Sequence, residues 1–266
     1  MSNHKTANLP PHAAHACLAI LFVLMTGAAS ASAQAQPAPA STYYGRTNTY
    51  SIFSAYSGDS SHMLLGTAEN RKLLEFGVAY GRKLFRNRVV NWQYHGELLP
   101  VALESDPEVQ RTFYQVTPVV ATYIDPPTLQ ANACVAASGS YSDSYTFPDG
   151  TVTYSGTEID RCLRRWTIGE GISPIGFQWN FMPRHKLQPF LISHGGYMYS
   201  TRPIPTTYAG SFNFTFDGGA GIEVFRSKTR SICAEYRYHH ISNHNTASDN
   251  PGIDNGLFQL TYSFGR

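Results

Sequence analysis

From about position 49 to its end the chain repeatedly alternates apolar and polar residues with a period of two, the spacing of a strand with one greasy and one wet face. Leu74, Phe76, Val78 and Tyr80 are separated by Glu75, Gly77 and Ala79, and Val90, Trp92, Tyr94 and Leu98 stand against Asn91, Gln93, His95 and Glu97. Phe212, Phe214 and Phe216 alternate with Ser211, Asn213 and Thr215, and Phe258, Leu260, Tyr262 and Phe264 with Leu257, Gln259, Thr261 and Ser263. The pattern predicts eight strands, over 49–56, 73–84, 89–101, 166–179, 186–199, 211–225, 231–242 and 257–264. In the fourth, the apolar face changes around Ser173-Pro174, which signals a bulge.

The connections fall into two kinds. Those at 85–88, 182–185 and 226–230 are short, and the alternate ones are longer. An even strand number with short turns at one end and long loops at the other is the plan of an outer-membrane barrel, with lipid on one face of each strand and a polar interior on the other. The fold class expected is therefore all-β, an eight-stranded antiparallel transmembrane β-barrel over 49–266, with a long extracellular loop at about 104–165. A soluble sandwich or lipocalin-like barrel would also alternate, but with the apolar face inward.

Composition agrees with a barrel: aromatic residues make up 13% of the chain and charged residues 14%, low for a soluble globular domain. The net charge of +2, without a Lys/Arg block, gives no nucleic-acid signal. At the N-terminus the apolar run 16–25 and the small-residue site Ala31-Ser32-Ala33 read as a signal peptide over 1–33, followed by a Pro/Ala/Ser leader over 34–48. A signal peptide leads to the periplasm or the outer membrane, and with the barrel pattern the expected location of the mature protein is the outer membrane of a Gram-negative bacterium. Cys134, Cys162 and Cys233 survive processing; the first two bracket a Gly/Ser/Tyr/Asp-rich stretch and are the disulfide candidate, whereas Cys233 reads as a small buried residue of a strand.

The seventh predicted strand carries candidate chemistry. Ile232, Ala234, Tyr236, Tyr238, His240 and Ser242 share one face, expected toward lipid, and Cys233, Glu235, Arg237 and His239 share the other. Inside, Glu235 and Arg237 would find partners among Glu75, Glu97, Glu170 and Glu223. Residues two apart project the same way, so His240 can reach the Ser242 hydroxyl and act as its base. The imidazolium formed then needs an acid, and the following loop offers Asp249 and Asp254. Asn243 and Asn250 are candidate donors to an oxyanion.

His240-Ile241-Ser242-Asn243 followed by Asn250-Pro251-Gly252-Ile253-Asp254 resembles the His-x-Ser-Asn and Asn-x-Gly pattern of the outer-membrane lipid A 3-O-deacylases, the PagL-type acyloxyacyl hydrolases. The resemblance implies an eight-stranded serine esterase that removes the 3-O-linked acyl chain of lipid A, with lipopolysaccharide of the outer leaflet as its partner and neither metal nor other cofactor. It assigns Ser242 as nucleophile, His240 as base and Asp254, twelve positions after the serine, as the orienting acid. Two departures stand out: Asp254 occupies a position where the family usually has Glu, and His244-Asn245 replaces residues commonly small. The match lies in the last third of the chain.

Other readings compete for the same residues. His240 and Ser242 could belong to a polar interface girdle of a non-catalytic barrel with a structural or adhesion role, or serve a phospholipid esterase. A metal site of His239, His240 and His244 is weakened by the opposite faces of the first two. Tyr236 and Tyr238 read as lipid-facing girdle residues. Whether the barrel forms a homodimer is left open by the sequence.

Overall fold

The computed structural model describes residues 43–266, so the expected signal peptide and most of the leader lie outside the described residues. Eleven strands follow one another: β1 (Asn48–Ser57), β2 (Lys72–Arg86), β3 (Val90–Thr117), β4 (Ala121–Ile124), β5 (Thr128–Leu129), β6 (Ala137–Phe147), β7 (Gly150–Phe181), β8 (Leu187–Ser200), β9 (Phe212–Ser227), β10 (Arg230–Ser242) and β11 (Ile253–Gly265). Eight of them close a ring in the order β1-β2-β3-β7-β8-β9-β10-β11, with β11 pairing back onto β1 from Thr49↔Gly265 to Tyr56↔Phe258. Every pairing in the ring is antiparallel. Closure removes the sheet edges, the condition for strands to cross a bilayer without unsatisfied backbone groups.

The ring is polar inside and apolar outside. Outward positions carry Tyr50, Ile52, Phe76, Val78, Phe214, Phe216, Leu260 and Tyr262, all exposed, while inward positions bury Ser51, Glu75, Gln93, Glu97, Asp217, Glu223 and Arg237. A soluble barrel would show the reverse. Buried inside the ring, these charges must be met by one another. Arg237 donates to both oxygens of Glu97, at 2.8 and 3.0 Å, and to Glu235 Oε1 at 2.9 Å. His194 Nδ1 lies 2.7 Å from Asp217 Oδ1. Near the short-turn end, Glu223 accepts from Arg46 at 2.7 Å and from Ser231 and Asn180 at 2.5 Å. Glu170, expected among these partners, instead lies on the outer face opposite Tyr199, because its inward neighbours on β7 are Gly169 and Gly171.

Arg46 belongs to a stretch read from the sequence as flexible leader, yet it is buried, and the backbone N–H groups of Tyr44 and Thr47 donate to Pro183 O and Arg266 O. The last leader residues thus cap one end of the ring. The expected irregularity at Ser173-Pro174 is a register shift between Ile172 and Ile175 in the β7–β8 pairing.

The segment 104–165, read as a long loop, is largely strand. β3 runs on to Thr117, β7 begins at Gly150, and the two pair with each other past the ring, flanked by β4 on β3 and β6 on β7. This extension lies at the same end as the connections 58–71, 201–211 and 243–252, opposite the start of β1 and the end of β11. Cys134 and Cys162 form a disulfide with Cα atoms 5.7 Å apart, tying the 125–136 segment to β7; Cys233 is a buried thiol. That segment crosses to the neighbouring connections: Leu129 N donates to Thr207 Oγ1 at 2.9 Å, Glu69 N to Ala131 O at 2.8 Å, and the Arg71 guanidinium to the carbonyls of Gln130, Ala131 and Pro205.

Candidate active site

The β10–β11 pairing determines what meets at the long-loop end of the ring. Its register sets His240 directly opposite Asp254 and Tyr238 opposite Gly256, so the imidazole and the carboxylate come together across the strands on the outward face. His240 Nδ1 and Asp254 Oδ1 are 2.7 Å apart. The Asp254 side chain is fully buried and that of His240 is 14% exposed.

Asp254 is held at four points. Oδ1 also accepts the Tyr238 hydroxyl at 2.8 Å, and Oδ2 accepts the backbone N–H groups of Leu64 and Leu65 at 2.7 and 2.9 Å. Four donors around one carboxylate favour its ionised form and leave it no freedom to turn. With an ionised acceptor on its Nδ1 side, neutral His240 carries its proton on Nδ1 and its lone pair on Nε2. That is the tautomer a general base needs.

The two leucine donors come from the 58–71 connection, which is fastened to the start of β11. Ser61 N donates to Asp254 O at 3.2 Å, Thr67 N to Pro251 O at 2.7 Å and Ala68 N to Gly252 O at 3.0 Å. Gly66 makes the close approach feasible: a Cβ there would stand 2.7 Å from Asp254 N. Gly252, with φ +64°, packs beneath the imidazole, and a Cβ on it would lie 3.0 Å from His240 Cε1.

Ser242 ends β10 on the same outward face as His240. Its hydroxyl donates to Asn250 Oδ1 at 3.0 Å rather than to His240, and it accepts the His244 N–H at 3.2 Å. Asn250 Oδ1 also accepts Asn243 N at 3.1 Å, which binds the end of β10 to the returning chain. The hairpin turns through His244 and Asn245, both at positive φ (52° and 60°), and Thr246 N closes on Asn243 O at 3.1 Å, the conformation of a type I′ turn.

The residues singled out in the sequence therefore fare differently. His240, Asp254, Ser242 and Asn250 gather at one place. The Asn243 side chain points into the turn and donates to Asp249 O at 2.7 Å, away from the serine. Asp249, the other candidate acid, accepts Thr206 Oγ1 at 2.5 Å and does not meet His240. Tyr238, read as a girdle residue, is a ligand of the Asp254 carboxylate. The backbone donors of Leu64 and Leu65 had no signal in residue types, since any residue but proline supplies an N–H.

Apolar side chains surround the cluster. Phe214 and Phe216 on β9 stand opposite Ser242 and His240, Tyr236 lies one outward position down β10, and Leu64 and Leu65 project from their connection; all five are exposed. Elsewhere, His95, Glu97 and His194 bring three donor atoms within 4.8 Å inside the ring, the one grouping of metal-ligand type among the described residues. Arg237 holds both oxygens of Glu97, and His95 Nδ1 lies 2.9 Å from His194 Nε2, so the cluster is satisfied as an ion-pair and hydrogen-bond network.

Comparison with known proteins adds one family. The family model described as lipid A 3-O-deacylase (PagL) matches residues 122–263. No curated protein matches the chain. Among solved structures, the outer membrane enzyme PagL is 11% identical, with a TM-score of 0.43, over 81% of this chain and 99% of its own. Neisserial surface protein A is 11% identical, with a TM-score of 0.40, over 83% of this chain and 97% of its own.

Proposed function

Because the chain belongs to the lipid A 3-O-deacylase (PagL) family, we propose that it is an outer-membrane serine esterase that removes the 3-O-linked acyl chain of lipid A, with Ser242 as nucleophile, His240 as base and Asp254 as orienting acid. The observation that carries this reading is the Asp254–His240 pair, 2.7 Å apart, on the lipid-facing wall beside Ser242. A site facing the interior of the ring would be closed to a substrate whose acyl chains lie in the bilayer.

The chemistry follows from the geometry. An ester at the outer end of β10 displaces the Ser242 hydroxyl from Asn250, and rotation about χ1 turns it toward His240 Nε2; such contacts commonly tighten only when substrate is bound. Ser242 Oγ attacks the carbonyl carbon as His240 takes its proton, and Asp254 stabilises the imidazolium without accepting the proton. The His244 N–H, beside Ser242 Oγ, is the donor at hand for the carbonyl oxygen as it becomes negative, and the Asn250 amide, whose Oδ1 faces the serine at rest, can donate there only after turning its NH2 group inward. Collapse expels the sugar oxygen, which takes the proton from His240 and leaves an acyl-serine. Water then attacks the acyl-serine with His240 again as base, releasing the fatty acid and restoring the hydroxyl. Phe214, Phe216, Leu64 and Leu65 provide the apolar surface for the acyl chain.

Mass spectrometry of lipid A and of phospholipid after incubation with wild-type and Ser242→Ala protein tests the reading. Expected is the loss of one acyl chain from lipid A, at the 3-O position, with wild type alone. Unchanged lipid A with folded wild type, equal deacylation by the variant, or acyl loss confined to phospholipid would overturn it.

A further inference from the structure

The extension of β4, β3, β7 and β6 beyond the ring has an outward face whose side chains the proposed esterase does not use. Opposed residues of an antiparallel pair share a face, and the registers Phe113↔Tyr123, Gln115↔Gly156↔Tyr141 and Asp143↔Tyr154 gather an aromatic set on one side of the sheet. Phe113, Tyr123, Tyr141, Asp143, Tyr145 and Tyr154 line an open cleft of about 380 Å³. Two ring pairs brace it edge to face: Phe113 with Tyr141 at 5.6 Å and Tyr145 with Tyr154 at 5.7 Å. Gln115 lies in its floor, its amide tied to Val119 O at 3.0 Å.

This face has the strand parity of the lipid-facing wall, from which it is separated by the Cys134–Cys162 disulfide and the segment that bond ties over buried Val109. Between Leu103↔Ile168 and Gln115↔Gly156 the β3–β7 pairing runs without a register shift, so Phe113 points to the same side as exposed Trp166 and Ile168. At about 3.3 Å per residue, Phe113 stands roughly 26 Å along the strand past Ser105, the partner of Trp166. From Val90 to Ser105 β3 already covers roughly 50 Å, enough for a tilted strand to cross a hydrocarbon core of about 30 Å, so Phe113 stands beyond the acyl chains, at the level of the saccharide of lipids in the same leaflet.

The lining suits a sugar. Aromatic faces take the C–H surfaces of pyranose rings through C–H···π contacts, while the Asp143 carboxylate and the tyrosine hydroxyls offer hydrogen bonds to sugar hydroxyls. The cleft is shallow and open, so it would accept an inner stretch of a chain rather than only an end. We propose that it binds the saccharide chain of lipopolysaccharide standing in the same outer leaflet, an inference that rests on the proposed function only for the identity of that lipid.

The test uses lipid-free core oligosaccharide, released from lipopolysaccharide by mild acid, titrated into the detergent-solubilised full-length Ser242→Ala protein and followed by saturation-transfer NMR and tyrosine fluorescence, with dextran of similar size as control. Expected is saturable binding by Ser242→Ala and wild type alike, weakened about tenfold or more when Tyr145 and Tyr154 are both replaced by alanine, given the energy of a stacked aromatic contact. The Cys134–Cys162 disulfide, scored by thiol labelling, reports that the extension of the double variant still folds. No saturable binding, equal affinity in the folded double variant, equal binding of dextran, or a change of oligomeric state without a change in sugar binding would overturn the proposal. Because the probe has no ester and the nucleophile is absent, oligosaccharide binding without deacylation by wild type would strike the proposed function alone.

Discussion

Replacing Asp254 by Asn isolates the role of the buried acid, because the amide cannot satisfy four donors. Turned one way, its NH2 group faces the N–H groups of Leu64 and Leu65 and both hydrogen bonds are lost. Turned the other way, it faces His240 Nδ1 and the Tyr238 hydroxyl, and the imidazole must move its proton from Nδ1 to Nε2, leaving no base beside Ser242. In either orientation the negative charge that stabilises the imidazolium is gone. The loss of tautomer and charge together in serine hydrolases is about 10⁴-fold in rate, roughly 5.5 kcal/mol at 1.36 kcal/mol per decade. We expect Asp254→Asn to lower single-turnover deacylation of lipid A in mixed micelles by about 10³- to 10⁴-fold on that basis, with the heat-modifiable gel shift of a folded barrel retained. Asp249→Asn, which changes the charge of a group that meets Thr206 between two connections but keeps an oxygen able to accept from it, should stay within about threefold of wild type, the scale of a weakened part-buried hydrogen bond. A folded Asp254→Asn protein working at nearly the wild-type rate would refute the reasoning, and a large loss on changing Asp249 would identify it as the acid.

Tyr238→Phe removes one of the four donors and keeps the ring, so deacylation should slow by about ten- to a hundredfold, the worth of one hydrogen bond to a charged group; a loss as large as that of Asp254→Asn, read in the same micelle assay, would assign the hydroxyl a more direct part. Glu97→Gln takes the bidentate carboxylate from Arg237, which keeps Glu235 and Asp217 beside it, and should cost about 3 kcal/mol of stability, the low end for breaking a buried ion pair, seen as a lower temperature for the gel shift, while the rate per folded molecule is unchanged. An unaltered shift temperature would mean that Arg237 is satisfied without Glu97.

The ring was legible because each of its strands has lipid on one side and a charge-filled interior on the other. That contrast writes a period-two pattern into the sequence; it located six ring strands to within about four residues and, for β3 and β7, only the stretches that lie in the ring, stopping at 101 and starting at 166 where the strands reach Thr117 and begin at Gly150. The extension was not legible for the complementary reason. In β6, Ala137–Phe147, nearly every residue is exposed, so no face had to be apolar and Ser, Thr and Tyr alternate without a hydrophobic period. A strand wet on both sides reads as a loop.

The site divides along a similar line. Parity alone assigns His240 and Ser242 to one face, because side-chain direction is a property of a single strand. What meets that face is a matter of register between strands: placing His240 opposite Asp254 also puts Tyr238 within reach of the carboxylate, and the sequence of β10 alone holds no information on that offset. The remaining two donors are further still from sequence, since Leu64 lies 190 positions from Asp254 and acts through its backbone. Their placement depends on a chain of contacts: the Cys134–Cys162 bond holds the segment whose Gln130 and Ala131 carbonyls bind Arg71, and Arg71 and Glu69 end the connection that carries Leu64 and Leu65 to the carboxylate. The extension above the membrane and the acid on the wall are thus parts of one scaffold, although the residues that join them lie far apart in the sequence and share no motif.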